Sequence, residues 1–400
     1  MYIAASRSTA TERPALRGVP ANVVALGAVS LVTDISSEMV TAVLPLYLVL
    51  GLGLNPLQFG LLDGLYAGAT ALVRVAGGHL ADRWRRLKAV AGAGYGLSAV
   101  CKLGLLAAGS SVAAIGAVLA VDRTGKGLRT APRDALISLS SEPAMLGRSF
   151  GVHRAMDTVG AFLGPLTATA VLALSLGSYP AVFFSSFCIA AFGLLLLILF
   201  VRDHPGTVSS ASLSNAVSLV RRPGFRRILG WTVALGLVTV GDSFIYLVVQ
   251  RRWDVAATYF PLLPLGTAGV YLLLAMPLGK LADRLGRWPV FLGGHAALCG
   301  ALLLLSGSGF GLVVALALHG VFYAATDGVL MAAAGPLVPT ELRATGLAVI
   351  QTGQAVARMF SSVLFGLAWT VWDLQPAVLV AAGAMAAVTL AAAFARPVRP

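Results

Sequence analysis

Apolar runs of about twenty residues recur along the whole chain, separated by shorter polar connections. A helix of about 20 residues crosses the hydrocarbon core of a bilayer, so each run predicts a membrane-spanning helix. Twelve such spans are read at 22–50, 57–80, 88–108, 112–133, 149–174, 178–201, 228–250, 258–280, 289–306, 310–336, 345–371 and 376–395. None shows the alternation of a membrane β-barrel. The expected fold class is therefore an all-α integral membrane protein. Arg7, Arg13 and Arg17 precede the first run, which is too long for a signal-peptide core and has no small-residue cleavage site at its end. It is expected to stay attached as the first span.

Composition agrees with the pattern. Of 400 residues, 58% are hydrophobic and only 11% charged, against about 25% charged in a typical soluble domain. The net charge of +13 would suggest nucleic acid in a soluble protein. In a membrane protein the placement of the cations matters more than their sum, so no nucleic-acid partner is expected. Cations gather in the N-terminal tail and in the even-numbered connections, as with Arg83, Arg85, Arg86 and Lys88 in the second; among the odd-numbered ones only the seventh holds any, Arg251 and Arg252. Positive charge marks the cytoplasmic side. Both termini are thus expected in the cytoplasm, with the chain in the inner membrane. The longest connection, 202–227, splits the spans six and six: a tail at 1–21, a bundle at 22–201, a linker at 202–227, a bundle at 228–395 and a tail at 396–400. Cys101, Cys188 and Cys299 are widely separated in apolar stretches, which suits small buried hydrophobes rather than a metal cluster or a disulfide framework. No metal site is expected.

An internal repeat sharpens the division. The second connection reads "GGHLADRWRR" and the eighth "LGKLADRLGR". Aligned, Gly78, Asp82, Arg83 and Arg86 match Gly279, Asp283, Arg284 and Arg287, at an offset of 279 − 78 = 201 residues. A tandem duplication of six spans explains this, and many secondary transporters are built that way. The pattern G-x-L-A-D-R-x-x-R closely resembles motif A of the major facilitator superfamily. Arg123-x-x-x-Gly127 resembles the fourth-helix motif of that family, with Lys126 in place of the usual glutamine. Gly160-x-x-x-Gly164-Pro165 resembles its fifth-helix motif, associated with exporters, without the Gly pair that should follow. The resemblance implies two pseudo-symmetric six-helix bundles that rock around a central cavity lined by spans one, four, seven and ten. It covers nearly all of the chain.

Charges at membrane depth are costly and usually functional. In the first span Ser30, Asp34, Ser37 and Thr41 make a polar stripe, spaced 4, 3 and 4, with Glu38 adjoining. In the fourth, "VDRTGKGLRTAPRDAL" sets Asp122, Lys126, Arg129 and Arg133 on one face with the same spacing, with Arg123 beside them. The Lys126 segment is not a phosphate loop, because Lys126 is followed by Gly127 and lacks the preceding glycine. Two readings of the cationic stripe stand: a structural ion-pair network with snorkelling, or coupling groups facing the carboxylates of the first span. In the fifth span His153, Asp157, Gly160 and Gly164 share a face, which suits either close helix packing or a sliding interface with a titratable pair. Asp242 and Asp327 are expected to join the cavity. Lys102, in the third span, has no evident partner in the pattern.

These features predict a secondary transporter, not an enzyme, that carries a small molecule by alternating access. No nucleotide loop is present to use ATP, so no cofactor is expected, and a proton is the expected coupling ion, carried by Asp34 or Glu38, which lie one turn apart. Proton-coupled efflux of a drug or metabolite is the leading expectation. Uptake or uncoupled passage of an anionic or zwitterionic solute is the alternative, and a receptor or enzyme on the same fold the distant one. Asp82 and Asp283 are expected to latch the cytoplasmic side. The protein is expected to work as a monomer.

Overall fold

The computed structural model describes residues 19–69, 86–142, 145–203, 219–307, 311–338 and 343–395. Among them there is no strand. The helices are α1 (Ala21–Leu46, running on through a π-turn at Tyr47–Gly51), α2 (56–69), α3 (Leu87–Ala107), α4 (Val112–Leu139), α5 (Leu146–Leu174) and α6 (Tyr179–Phe200). The second half of the chain gives α7 (Pro223–Val238), α8 (Asp242–Trp253), α9 (Leu263–Leu285), α10 (Arg287–Ser306), α11 (Leu312–Ala334), α12 (Arg343–Trp372) and α13 (Leu374–Phe394). Among the described residues ten helical stretches are long and apolar enough to cross a membrane. The 28-residue α4 is long enough, but its charges keep it out of that set. Large apolar side chains such as Phe184, Phe192, Phe200, Leu273 and Met276 stand exposed on the outside, as a lipid-facing surface requires. Cys101 is buried, but Cys188 is exposed on α6, so it belongs to that outer surface and not to a packed interior.

α1 packs on α5 and α6, and α3 on α4 and α6; in the second half α11 packs on α9 and α10, and α13 on α10 and α12. Glycines set the closest approaches. A Cβ on Gly160 would run into the Leu31 carbonyl, and one on Gly164 would meet the Glu38 Cβ at 2.6 Å, so α5 lies directly on the backbone of α1. The ends of the helices can be named by α1: it begins at the near face and ends at the far face.

The first and second halves of the chain meet toward the far face. There α5 touches α9 and the turn at Phe260–Leu262, and α1 touches α8. A Cβ on Gly60 would meet the Ser362 carbonyl at 2.5 Å, and one on Gly64 the Met359 carbonyl at 2.6 Å, so α2 is pressed onto α12. Phe244 stacks edge-on against Phe59 and Phe365, with ring centroids 4.8 and 4.9 Å away, and Trp369 lies 6.0 Å off. These rings form an aromatic plug where the two halves meet at the far side.

The seventh span, expected as one run over 228–250, is two helices. α7 ends at Val238, residues 239–241 are non-helical, and α8 starts at Asp242. Val238, Thr239 and Val240 are β-branched and Gly241 follows, a sequence that weakens a helix. Inside a membrane the freed backbone groups need partners, and Ser361 Oγ donates to the Thr239 carbonyl at 2.7 Å.

Candidate functional site

The charged face of α4 is a series of ion pairs with helices on either side. At its far end Asp122 accepts from Ser98 Oγ at 2.6 Å, from Lys102 Nζ at 3.2 Å and from the adjacent Arg123 guanidinium. Lys102 also donates to the Ser98 carbonyl at 2.8 Å. The cation in α3 thus has its partner across the α3–α4 contact. Both side chains are almost fully buried, which two opposite charges tolerate only because each is paired and hydrogen-bonded. Arg123 also lies over the Tyr66 ring, 3.9 Å from its centroid.

Further along α4, Arg129 lies over Tyr95 and 3.6 Å from Asp34. One turn on, Arg133 donates to Ser30 Oγ at 3.3 Å and lies 3.0 Å from Asp134 and 3.9 Å from Asp157. Ser30 Oγ donates to Asp157 at 2.7 Å, and Arg154 is 3.6 Å from the same carboxyl. Asp34 and Asp157 thus lie near one another in this cluster, Asp34 beside Arg129 and Asp157 beside Ser30 and Arg133. The glycines of α5 make this possible, by bringing its backbone against α1 one turn away. His153, buried one turn before Asp157, leaves its Nε2 without a hydrogen bond among the described residues.

In the second half, the break in the seventh span sets Asp242 in the first turn of α8. Its carboxylate accepts from Tyr323 Oη at 2.5 Å and meets His319 Nε2 at 3.2 Å, while His319 Nδ1 lies 3.3 Å from Thr267 Oγ1. Asp63, from α2, accepts from Ser362 Oγ at 2.7 Å. A Cβ on Gly241 would come within 2.9 Å of the Asp63 carboxylate. Glycine is needed here for close approach, and the carboxylate sits at the positive end of α8.

Between these groups is a cavity of about 480 Å³. Its charged wall comprises Glu38, Arg123 and Lys126 from α1 and α4, Asp63 from α2, Asp242 from α8 and Arg358 from α12. Pro45 and Pro165, which lie inside α1 and α5, also line it.

Of the residues singled out in the sequence, Glu38, Arg123, Lys126, Asp242 and Pro165 lie on this wall. Asp34, Arg129 and Asp157 form the separate carboxyl cluster between α1, α4 and α5. Asp34 therefore faces Asp157 rather than Glu38, which turns toward the cavity. Ser37 and Asp122 line a small neighbouring void beside Lys102. Asp327 is exposed on α11 and hydrogen-bonds Tyr271, away from the cavity lining. Of the repeated loop, Gly78, Asp82 and Arg83 lie outside the described residues. Arg86 caps the start of α3 and is exposed. In the second copy Gly279 has open space around it. Asp283 meets Arg287 at 3.8 Å, both exposed, Arg284 ends the last turn of α9, and Arg287 also donates to the Ala332 carbonyl of α11 at 2.7 Å. In the sequence Asp63 and Arg358 had no assigned place, and Tyr66 and Ser362 were passed over. The signal was present for α2: Gly60, Gly64 and Gly68 are spaced four apart around Asp63 and Tyr66, the small-residue spacing of a close helix contact. Among the described residues no group of His, Cys, Asp and Glu gathers to hold a metal ion.

An apolar exterior around a charged internal cavity, enclosed by helices from both halves of one chain, defines a multi-pass membrane transporter. The sequence profile of the Major Facilitator Superfamily matches residues 26–270 and 244–400, and the chain belongs to that family. An uncharacterized MFS-type transporter of Methanocaldococcus jannaschii is 28% identical over 370 residues, covering 89% of this chain and 90% of its own. Among solved structures, a variant of the nucleoside transporter NupG is similar with a TM-score of 0.81 at 15% identity, over 93% of this chain and 99% of that one. The peptide transporter POT in complex with sulfate gives 0.77 at 15% identity, over 94% and 95%. At such identities the likeness is one of fold.

Proposed function

We propose that the protein is a proton-coupled secondary transporter that exports a small solute by alternating access, working as a monomer in the inner membrane. On this reading twelve spans form two six-helix bundles, 22–201 and 228–395, joined by the cytoplasmic linker 202–227, with both termini in the cytoplasm. The proton site is the Asp34–Asp157 carboxyl pair, and the solute site is the cavity beside Lys126.

The observation that carries the reading is that pair. Two neighbouring carboxyls in a low-dielectric site repel when both are charged and can bond to one another only if one carries a proton, because a carboxylate is an acceptor alone. Arg129 and Arg133 stand beside the pair, and Lys126, one turn from Arg129 on α4, stands in the cavity. A rocking movement of α4 relative to α1 and α5 changes both sites at once, which is what coupling requires. The far-face plug, taken with the charge rule, supports a cavity that faces the cytoplasm in this arrangement, where an exporter loads its solute. The Gly160-x-x-x-Gly164-Pro165 sequence supports the same direction.

Inverted membrane vesicles energised acid-inside test the proposal over a compound panel. One pH unit is worth about 1.4 kcal/mol per proton, or about tenfold accumulation for one-to-one exchange. Accumulation that collapses with a protonophore is the expected result. Uptake that only follows the solute's own gradient would make the protein a facilitator, and accumulation only with the gradient reversed would make it an importer.

A further inference from the structure

The six charged groups on the cavity wall divide into two sets. Arg123 is held by Asp122, Asp63 accepts from Ser362, and Asp242 is bonded to Tyr323 and His319. These three are spoken for by the protein. Lys126, Arg358 and Glu38 are not. Among the described residues, neither Lys126 Nζ nor the Glu38 carboxylate has an ion-pair or hydrogen-bond partner. Among the described residues Arg358 has no carboxylate within ion-pair range. Its guanidinium lies 5.8 Å from the Phe322 and Tyr323 ring centroids, its one bond is a 3.5 Å contact to Tyr323 Oη, and its Nε is buried without a partner.

A charge held at membrane depth without a partner costs several kcal/mol, and a binding site keeps such charges when the ligand completes them. The two unpaired cations come from different halves of the chain, Lys126 from α4 and Arg358 from α12, and reach the same cavity. Among the described residues Glu38, on α1 beside Lys126's half, is the wall carboxylate with neither an ion-pair nor a hydrogen-bond partner, whereas Asp63 and Asp242 accept from side chains of the protein.

We propose that the cavity takes a small zwitterion, its carboxylate held between Lys126 and Arg358 and its ammonium by Glu38. This inference rests on the transport reading above and adds the chemical class of the solute. A guanidinium offers a planar fork that matches a carboxylate, while the lysine ammonium is a compact point charge. The volume of about 480 Å³ suits molecules from an amino acid to a short peptide. Because the anion is gripped from both halves, solute binding would also help draw them together around it.

The test is equilibrium binding to the full chain in lipid nanodiscs, without any pH gradient. The probes are L-leucine and L-alanyl-L-leucine, their N-acetyl and C-terminal amide forms, and the lipophilic cation tetraphenylphosphonium. The free zwitterions are expected to bind about tenfold or more tighter than either blocked form, the loss expected for one charge-assisted bond. Lys126→Gln and Arg358→Gln should each make the acid and its amide bind alike, and Glu38→Gln should do the same for the free and acetylated amines. Lys126→Arg and Arg358→Lys, which keep the charge, should retain the preference and guard against a folding defect. Blocked forms that bind as well as the zwitterions, binding of the lipophilic cation alone, or no binding of either zwitterion would overturn the proposal. The result is independent of coupling: loss of the proton site leaves binding unchanged, and failure of the panel leaves gradient-driven transport of other solutes standing.

Discussion

Lys102 shows how much a single residue hides. In the sequence it is one cation in an apolar helix with no partner at helical spacing. In the fold it is 3% exposed and bonded to Asp122 and Ser98. Its counter-ion lies on the next helix, at a distance along the chain that no periodicity reports. The 4, 3, 4 spacing of α4 was legible, and so was its need to face protein or water. Which of its cations are structural and which are free was not, because that depends on neighbours. The structure separates them: Arg123, Arg129 and Arg133 are paired, and Lys126 is not. This yields a contrast in stability. Asp122→Asn leaves Lys102 and Arg123 buried without a counter-charge and should cost about 3–5 kcal/mol, seen as a lowered melting temperature and poor recovery in detergent. Lys126→Gln removes no ion pair and should melt as the native protein does. Equal melting of Asp122→Asn and the native chain would show that the Lys102 network contributes no net stability.

At the scale of elements, apolar run length located the helices well, since lipid demands a continuous apolar helix. It missed the break at 239–241, because three β-branched residues and a glycine look like ordinary span residues. The break is tolerated through Ser361 on α12, a long-range partner that the local sequence does not reveal. The glycine series of α2 was equally visible and equally easy to pass over, since glycine is frequent throughout the chain. Its place in the fold gives it meaning: α2 is the element that presses the first half onto α12 at the far face. Gly64→Leu puts a branched side chain against the Met359 carbonyl and should push α2 away. The expected outcome is faster labelling of Ser362→Cys by an impermeant maleimide from the far side, in a background with Cys101, Cys188 and Cys299 replaced. Unchanged labelling would mean that the aromatic plug of Phe59, Phe244 and Trp369 keeps that face closed by itself.

At the scale of the whole molecule, the family was readable from the motif repeated at Gly78 and Gly279. The two polar centres were not, because each is assembled from helices far apart in the chain. A carboxyl pair lies between α1, α4 and α5 and a cavity between the halves, with α4 running along both. On the proposed function the first centre carries the proton and the second the solute. The most direct test compares Asp34→Asn and Asp157→Asn in proteoliposomes, using a solute that the native protein accumulates. The amides keep the size and much of the hydrogen bonding of the acids, but neither holds an exchangeable carboxyl proton. Both variants should lose accumulation driven by a pH gradient while still exchanging labelled for unlabelled solute, which needs no net proton movement. Accumulation that persists in both variants would contradict the claim and leave the carboxyl pair a structural one.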